Sequence, residues 1–164
     1  LLSMFVLIGA ALPAQSLSVL AVVEAQRDLW NVVRQPLGLP LFMALGLAIT
    51  LRGPFDYADG AELAGGTSAE ESGPALAMWQ FARAAMLVAF SGMAATAFLG
   101  GHLGPVLPGP LWLLLKTLAV MAATVAAGRC FARMPPARML TLLWVVLLPL
   151  SFASLALVGV TVLP

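Results

Sequence analysis

The stretch that decides the fold runs from residue 74 to residue 99 and reads PALAMWQFARAAMLVAFSGMAATAFL, with Arg83 as its only charged residue. About 20 mostly apolar residues carry an α-helix across the hydrocarbon of a bilayer. The whole chain has the same character, because 62% of its residues are hydrophobic, 9% are charged and its mean hydropathy is +1.02. A soluble domain is roughly half apolar and a quarter charged. Lipid is therefore the predicted surrounding of most of this chain.

Several apolar stretches predict an all-α fold, a polytopic transmembrane helix bundle of about five helices. Their expected bounds are 1–23, 35–51, 74–99, 109–129 and 139–163. The stretches are continuous and do not alternate with the period of a membrane strand, so helices are the predicted way to satisfy their backbone groups in lipid. We expect one membrane domain over residues 1–164, with a polar loop at 52–73. Because the chain opens inside an apolar run without a methionine, we also expect further helices before it.

Charge and motif content exclude several function classes. A net charge of +1 with dispersed arginines gives no basic stripe, so no nucleic-acid partner is predicted. Cys130 and His102 are single residues of their type, too few for an ordinary closed zinc or iron–sulfur site, and no metal site is predicted. No nucleophile elbow, P-loop or dinucleotide fingerprint is found either, so no catalytic residue is predicted.

Basic residues between the apolar stretches predict an orientation. Short loops rich in lysine and arginine face the cytoplasm. Arg27 and Arg34 fall on one side of the expected bundle. The other side holds more arginines, namely Arg52, Arg129, Arg133 and Arg138. The loop at 52–73 is therefore predicted to be cytoplasmic.

The same loop concentrates the acidic residues of the chain. Between residues 53 and 73 it has no basic residue and holds Asp56, Asp59, Glu62, Glu70 and Glu71. One interpretation is a solvated loop whose polar residues keep it out of lipid. The other is a vestibule, because carboxylates held close to lipid and to one another have raised, coupled pKa values, as a proton relay requires.

Two cations lie inside the apolar stretches, and charges at membrane depth are functional candidates. Arg83 shares a helical stripe with Gln80, Leu87 and Ser91, which predicts that this face packs against protein. Either a buried, paired role or extension to the interface fits Arg83. For Lys116, about two turns from its helix start, extension to the interface is the simpler expectation.

Short strings along almost the whole chain occur in the order found in the H subunit of respiratory complex I. The string at 52–56, RGPFD, is similar to that family's Arg-Ala-Pro-Phe-Asp signature, and EESG at 70–73 is similar to its Glu-Tyr-Ser-Gly. The others are VEAQ at 23–26, QPLG at 35–38, EL at 62–63, FLGG at 98–101, PGPLW at 108–112, LKT at 115–117 and LLPLS at 147–151. The chain thus resembles the last five of the family's eight helices.

This resemblance implies a membrane subunit of NADH-quinone oxidoreductase, in a bacterial inner membrane, that helps to form the quinone chamber and couples quinone reduction to proton translocation. It implies an obligate hetero-oligomer in which partner subunits hold NADH, FMN and the iron–sulfur clusters, while this chain binds no cofactor and meets quinone at an interface. Candidates for the chamber and the proton path, carried over by position, are Arg52, Asp56, Glu62 and Glu70. Arg83 joins them as an intramembrane charge, and Gln80 and Lys116 are further intramembrane polar residues.

Departures from the family pattern keep two other interpretations open. Ile49 and Arg83 stand where the family has acidic residues, and Arg83 is hypothesised to form a fixed ion pair with Glu62 or Glu70. A non-pumping scaffold paralogue is one alternative. The string SGP at 72–74 also resembles membrane subunits of energy-converting nickel–iron hydrogenases or formate hydrogenlyase.

Overall fold

The computed structural model describes residues 2–55, 71–132 and 134–162 of the chain. Every regular element within these ranges is helical. The α-helices, numbered in chain order over the described residues, are α1 (Leu2–Ala11), α2 (Val19–Glu24), α3 (Asn31–Arg34), α4 (Gly38–Ile49), α5 (Pro74–Phe98), α6 (Gly109–Cys130), α7 (Pro136–Thr141) and α8 (Leu148–Val162). A 3-10 turn at Leu12–Ala14 follows α1, and a π-helical segment at Leu142–Leu147 joins α7 to α8.

Three of the described helices are long and apolar enough to cross a membrane: Pro74–Phe98, Gly109–Cys130 and the continuous run Ala137–Thr161. Two shorter apolar helices, Leu2–Ala14 and Gly38–Ile49, complete the set. The predicted all-α, polytopic membrane bundle is confirmed. The two short helices differ from the expected stretches 1–23 and 35–51.

The first expected span is broken because Pro13 interrupts it. Proline has no backbone N–H to donate to the preceding turn, and the chain changes from α1 to the 3-10 turn at this point. Gln15 then adopts a left-handed conformation with φ 49°, so the chain turns before α2 begins at Val19. The apolar run is long enough for one helix, but its local chemistry makes two.

The last expected span is continuous but irregular. Its π-helical segment ends immediately before α8, whose second residue is Pro149. A proline there cannot donate to the carbonyl one turn back and its ring crowds that carbonyl. The wider π spacing before Pro149 is a local answer to this crowding, of the kind that appears as single π turns within α-helices.

The core lies where α1, α4, α5 and the last helix meet. Phe42 of α4 is fully buried and stacks on Phe90 of α5, with ring centroids 4.2 Å apart. Phe98 is also fully buried and lies 5.7 Å from Phe42 by ring centroid. Gly46 allows this approach, because a Cβ there would lie 2.4 Å from Phe90. The core therefore ties the short α4 to a full-length spanning helix.

Contacts along the helices define two ends of the bundle. Gly38 at the start of α4 lies beside Phe98 at the end of α5, so the two helices are antiparallel. α6 packs extensively on α5 after the turn at Gly100 and returns to bring Gly128 against Gly53. We call the end around Arg52 and Gly128 the loop end, and the end around Gly100 the turn end.

Candidate functional site

A cavity of about 460 Å³ lies at the loop end, between the residues that follow α4 and the helices α5 and α6. Three of the predicted residues, Arg52, Gln80 and Arg83, line it together. Sequence reasoning missed Arg129 as a member of the same group. The remaining wall is mostly small or apolar, with Leu51, Ala84 and Val125 among its residues. We call this the loop-end cavity.

The end of α4 places Arg52 in this wall. Leu51 has a left-handed conformation with φ 51°, and the Arg52 N–H donates to the Leu47 carbonyl at 3.0 Å. This is the hydrogen bond of a left-handed helix cap, a position usually taken by glycine. A leucine there is strained, and such strain is often found where a functional group is being aimed. The chain is thereby folded back, and Arg52 lies over the helix end.

Two glycines hold the segment after Arg52 against α6. A Cβ on Gly53 would lie 2.6 Å from the Gly128 carbonyl oxygen, and a Cβ on Gly128 would lie 2.8 Å from that of Gly53. Real Cβ atoms do not approach oxygen this closely, so both positions need glycine. The Met134 N–H donates to the Pro54 carbonyl at 3.1 Å and fixes the same segment from the far side of α6.

The stripe on α5 reaches the cavity at one end and the core at the other. Leu87 and Ser91 are buried, as the predicted protein-facing stripe requires, while Arg83 is half-buried and Gln80 is exposed. Arg83 also makes an interaction within the protein. Among the described lining residues the charged groups are all guanidinium groups, from Arg52, Arg83 and Arg129. The electrostatic character contributed by these residues is cationic.

The acidic candidates Asp56, Glu62 and Glu70 lie outside the described residues. The proposed proton relay and the ion pair between Arg83 and Glu62 or Glu70 therefore stay predictions. In the part of the chain that the structure describes, no group of three or more histidine, cysteine, aspartate or glutamate residues is placed to hold a metal ion.

Lys116 lies at the opposite, turn end, and the expectation that it extends to the interface is wrong. Only 5% of the residue is exposed. Its ammonium donates to the carbonyl oxygens of Leu99 at 2.6 Å and Leu103 at 2.7 Å. It also lies 4.5 Å from the ring centroid of Trp30 and 5.5 Å from that of Trp112. The side chain is directed inward because the carbonyls at the end of α5 need donors and attract a cation.

A group of buried amides completes the turn end, and sequence reasoning assigned these residues no role. Gln26 is fully buried, donates to the carbonyls of Val22 and Thr96, and accepts from the N–H groups of Asn31 and Gly100. Asn31 donates to the carbonyls of Ala10 and Ala97, both at 2.9 Å. Gln35 donates to the Ser154 hydroxyl at 2.8 Å. We call Gln26, Asn31, Gln35 and Lys116 the turn-end cluster.

The carbonyls served by this cluster belong to helix ends. Ala10 is in the last turn of α1, and Thr96 and Ala97 are in the last turn of α5, where carbonyls have no partner within the helix. Amides beside apolar stretches were the one available signal, since polar side chains at membrane depth rarely lie there without partners. Which carbonyls they would serve depends on the break after α1.

Comparison with known proteins places the chain in a family. The profile of the family described as "NADH dehydrogenase" matches residues 1–159. A protein of Rhodopseudomonas palustris (strain BisB5), named as the first of the H subunits of its NADH-quinone oxidoreductase, is 40% identical over 95% of this chain and 49% of its own length. A second H subunit of the same enzyme, from Rhizobium meliloti (strain 1021), is 37% identical over 95% of this chain and 48% of its own length.

A third relative, from Cereibacter sphaeroides (strain ATCC 17023), is likewise named as a second H subunit of NADH-quinone oxidoreductase and is 34% identical over 91% of this chain. The chain spans about half the length of the curated relatives it matches. The order of the matched strings, the helical membrane fold and these similarities agree. The chain belongs to the NADH dehydrogenase family, among the relatives of the H subunit of NADH-quinone oxidoreductase.

Proposed function

We propose that this chain is a membrane subunit of NADH-quinone oxidoreductase that helps to form the quinone-binding chamber and couples quinone reduction to proton translocation. The observation that carries the proposal is the similarity, over about 95% of the chain, to proteins named as H subunits of that enzyme. In this assignment NADH, FMN and the iron–sulfur clusters belong to partner subunits, and quinone is met at a shared interface. The chain acts as one membrane domain of an obligate hetero-oligomer in a bacterial inner membrane.

The loop end is the part of the chain that we assign to the chamber. Arg52, Gln80 and Arg83 line one cavity there, at the point where residues 56–70 depart from the bundle. A guanidinium group is permanently charged and offers several donors, so Arg52 is suited to hold either a carboxylate of that segment or a quinone carbonyl. Asp56, Glu62 and Glu70 are the proposed proton carriers.

Two positions limit the proposed proton path. Ile49, at the end of α4, has no group that binds a proton, and Arg83 stays protonated at any physiological pH. A path through this copy must therefore use the carboxylates of the 56–70 segment rather than the helices. We retain the ion pair of Arg83 with Glu62 or Glu70 as part of the proposal, since it would hold that segment against α5.

The first experiment is affinity purification of the tagged chain from its native membrane in mild detergent, with identification of the subunits that co-purify. We expect flavin-containing, NADH-oxidising partners and an inhibitor-sensitive quinone reductase activity. Recovery of a nickel–iron hydrogenase large subunit would instead assign the chain to that class of complex. Recovery without a redox partner would overturn the enzymatic assignment and leave a scaffold.

Substitution at the loop end tests the role of the cavity. In the assembled complex, Arg52→Gln is expected to lower quinone reductase activity at least about tenfold, the effect of losing one charge-assisted contact. NADH oxidation with an artificial acceptor should be unchanged. Arg138→Gln, an exposed arginine outside the cavity, is the matched control. The ion-pair proposal is tested separately, since an Arg83→Gln complex with normal assembly and turnover would contradict it.

A further inference from the structure

Three guanidinium groups from three different elements surround the loop-end cavity. Arg52 follows α4, Arg83 lies on α5, and Arg129 is in the last turn of α6. The described lining residues include no carboxylate to balance them. Like charges grouped beside a low-dielectric bundle repel one another, so an anion within the cavity would relieve the repulsion.

The donors of Arg52 indicate the same kind of ligand. Its Nε atom is buried and has no hydrogen-bond partner. Buried donors are usually paired, and a guanidinium offers five N–H donors in a planar fork that matches carboxylate and phosphate oxygens. Arg83 makes an interaction within the protein, but several donors allow one guanidinium to serve two partners.

The walls of the cavity combine this charge with apolar surface at a membrane boundary. Arg52 and Arg129 lie at the ends of apolar helices, the level at which a lipid headgroup meets the acyl region. Leu51, Ala84 and Val125 contribute apolar surface in the same cavity. Gln80, Ala84 and Arg129 are exposed, so the cavity opens to its surroundings. A volume of about 460 Å³ is of the size that holds a small ligand.

We propose that the loop-end cavity binds the phosphate group of an anionic phospholipid through Arg52, Arg83 and Arg129. Phosphate takes two parallel hydrogen bonds from one guanidinium, and three guanidinium groups can surround its oxygens. The apolar part of the wall accommodates the start of the acyl chains. This site does not depend on quinone binding, and it goes beyond the function proposed above.

Cys130 provides a local reporter, because it is exposed, follows Arg129 directly and is the only cysteine of the chain. The purified full chain, labelled there with an environment-sensitive fluorophore, is placed in phosphatidylcholine nanodiscs that contain increasing fractions of phosphatidylglycerol. We expect a saturable fluorescence change with phosphatidylglycerol. An equal response in pure phosphatidylcholine would overturn the proposal without any variant being needed.

Variants then locate the response. Arg129→Gln should weaken the response to phosphatidylglycerol about tenfold, the loss expected for one arginine–phosphate contact. Arg138→Gln removes an equal charge outside the cavity and should leave the response unchanged. Equal loss in both variants would show general surface attraction and overturn the site.

Two further measurements separate the source of the phosphate and confirm the binding. Mass spectrometry of retained lipid should show more phosphatidylglycerol on the unlabelled wild-type chain than on Arg129→Gln. Competition by inorganic phosphate at millimolar concentration would assign the cavity to a soluble phosphate anion and overturn the lipid assignment. Since no step measures quinone chemistry, failure here would leave the proposed role in the complex untouched.

Discussion

At the scale of single residues, the turn end shows how charge and amide groups are accommodated in an apolar chain. Lys116 has carbonyl oxygens and two indole rings as its partners, and Gln26 joins the starts and ends of several elements through four hydrogen bonds. Each of these partners would otherwise be a buried polar group without a partner, which costs free energy. The stability of this end therefore depends on few side chains.

Lys116→Met is expected to destabilise the chain by about 2–4 kcal/mol. The substitution keeps an unbranched side chain of similar length but removes two charge-assisted hydrogen bonds and the contact with the Trp30 ring. The melting temperature of the purified protein in a fixed detergent measures the effect. Arg138→Met, at an exposed position, is the control and should change stability by less than about 0.5 kcal/mol. Equal melting temperatures for the two variants would contradict the role of Lys116.

Gln26→Leu is expected to cost about 2–4 kcal/mol as well, because it leaves four buried backbone groups without their partner. Thermal unfolding in detergent again gives the measurement. Glu24→Gln serves as the matched control, since Glu24 is exposed and makes only a surface ion pair with Arg27 at 2.7 Å. Such pairs contribute at most about 1 kcal/mol. A Gln26→Leu protein as stable as the control would show that the amide is dispensable.

At the scale of elements, the loop end depends on the contact between the segment after α4 and the last turns of α6. Gly53 and Gly128 bring the two backbones together, and Leu51 folds the chain into this contact. Arg52 and Arg129 then lie on opposite sides of the contact and line the same cavity. The geometry of the cavity is therefore a property of this helix–segment pairing.

Gly128→Ala is expected to separate the pair and destabilise the protein by about 1–3 kcal/mol, the usual range for overpacking. Its Cβ would lie 2.8 Å from the Gly53 carbonyl oxygen, and backbone atoms cannot move aside cheaply. Quinone reductase activity of the assembled complex should fall together with the melting temperature. Gly92→Ala on α5 is the matched control, because its nearest atom is the Thr117 Cγ2 at 4.0 Å. That change should be neutral or stabilising by up to about 1 kcal/mol.

At the scale of the whole molecule, apolar side chains cover much of the outer surface. Large exposed residues occur on all three long helices, among them Phe81, Val88, Leu114, Val145 and Val160. Single exposed apolar residues are normal, but surfaces of this extent need lipid or a partner. The bundle is therefore a membrane protein whose outer faces are available to the acyl chains and to other subunits.

The orientation of the bundle can be tested with the single cysteine. The arginine distribution predicts that the loop end faces the cytoplasm, and Cys130 lies there. A membrane-impermeant maleimide should label Cys130 in inside-out vesicles and leave it unlabelled in right-side-out vesicles. In a Cys130→Ala background, Val106→Cys at the turn end, where the residue is 84% exposed, should give the reverse pattern. Labelling of Cys130 from the outside would invert the assignment.

Much of the fold could be predicted from the chain alone because hydrophobicity is local and additive along a segment. The long helices α5 and α6 begin after Gly73 and Pro108, as the punctuation by glycine and proline indicates. The stripe through Leu87 and Ser91 also follows from helical periodicity, and both residues are buried. These features depend on neighbours within one helix, which a sequence contains in full.

The candidate site was only partly predictable for the opposite reason. Arg52, Gln80 and Arg83 could be selected by type and position, but their meeting with Arg129 depends on the return of α6. Lys116 was assigned the wrong environment, because its distance from a helix start does not reveal that unpaired carbonyls lie beside it. The break at Pro13 and Gln15 was likewise hidden within a run that is apolar throughout.

The sequence by itself determined that this protein is a helical membrane chain of the H-subunit family, since apolar length and ordered motifs are carried by neighbouring residues. Only the tertiary structure decided which polar groups meet: three arginines around one cavity at the loop end, and a lysine with three amides at the helix ends of the turn end. The physical reason is that a buried polar group must be satisfied by whatever lies beside it. Its partners come from distant parts of the chain and are set by packing.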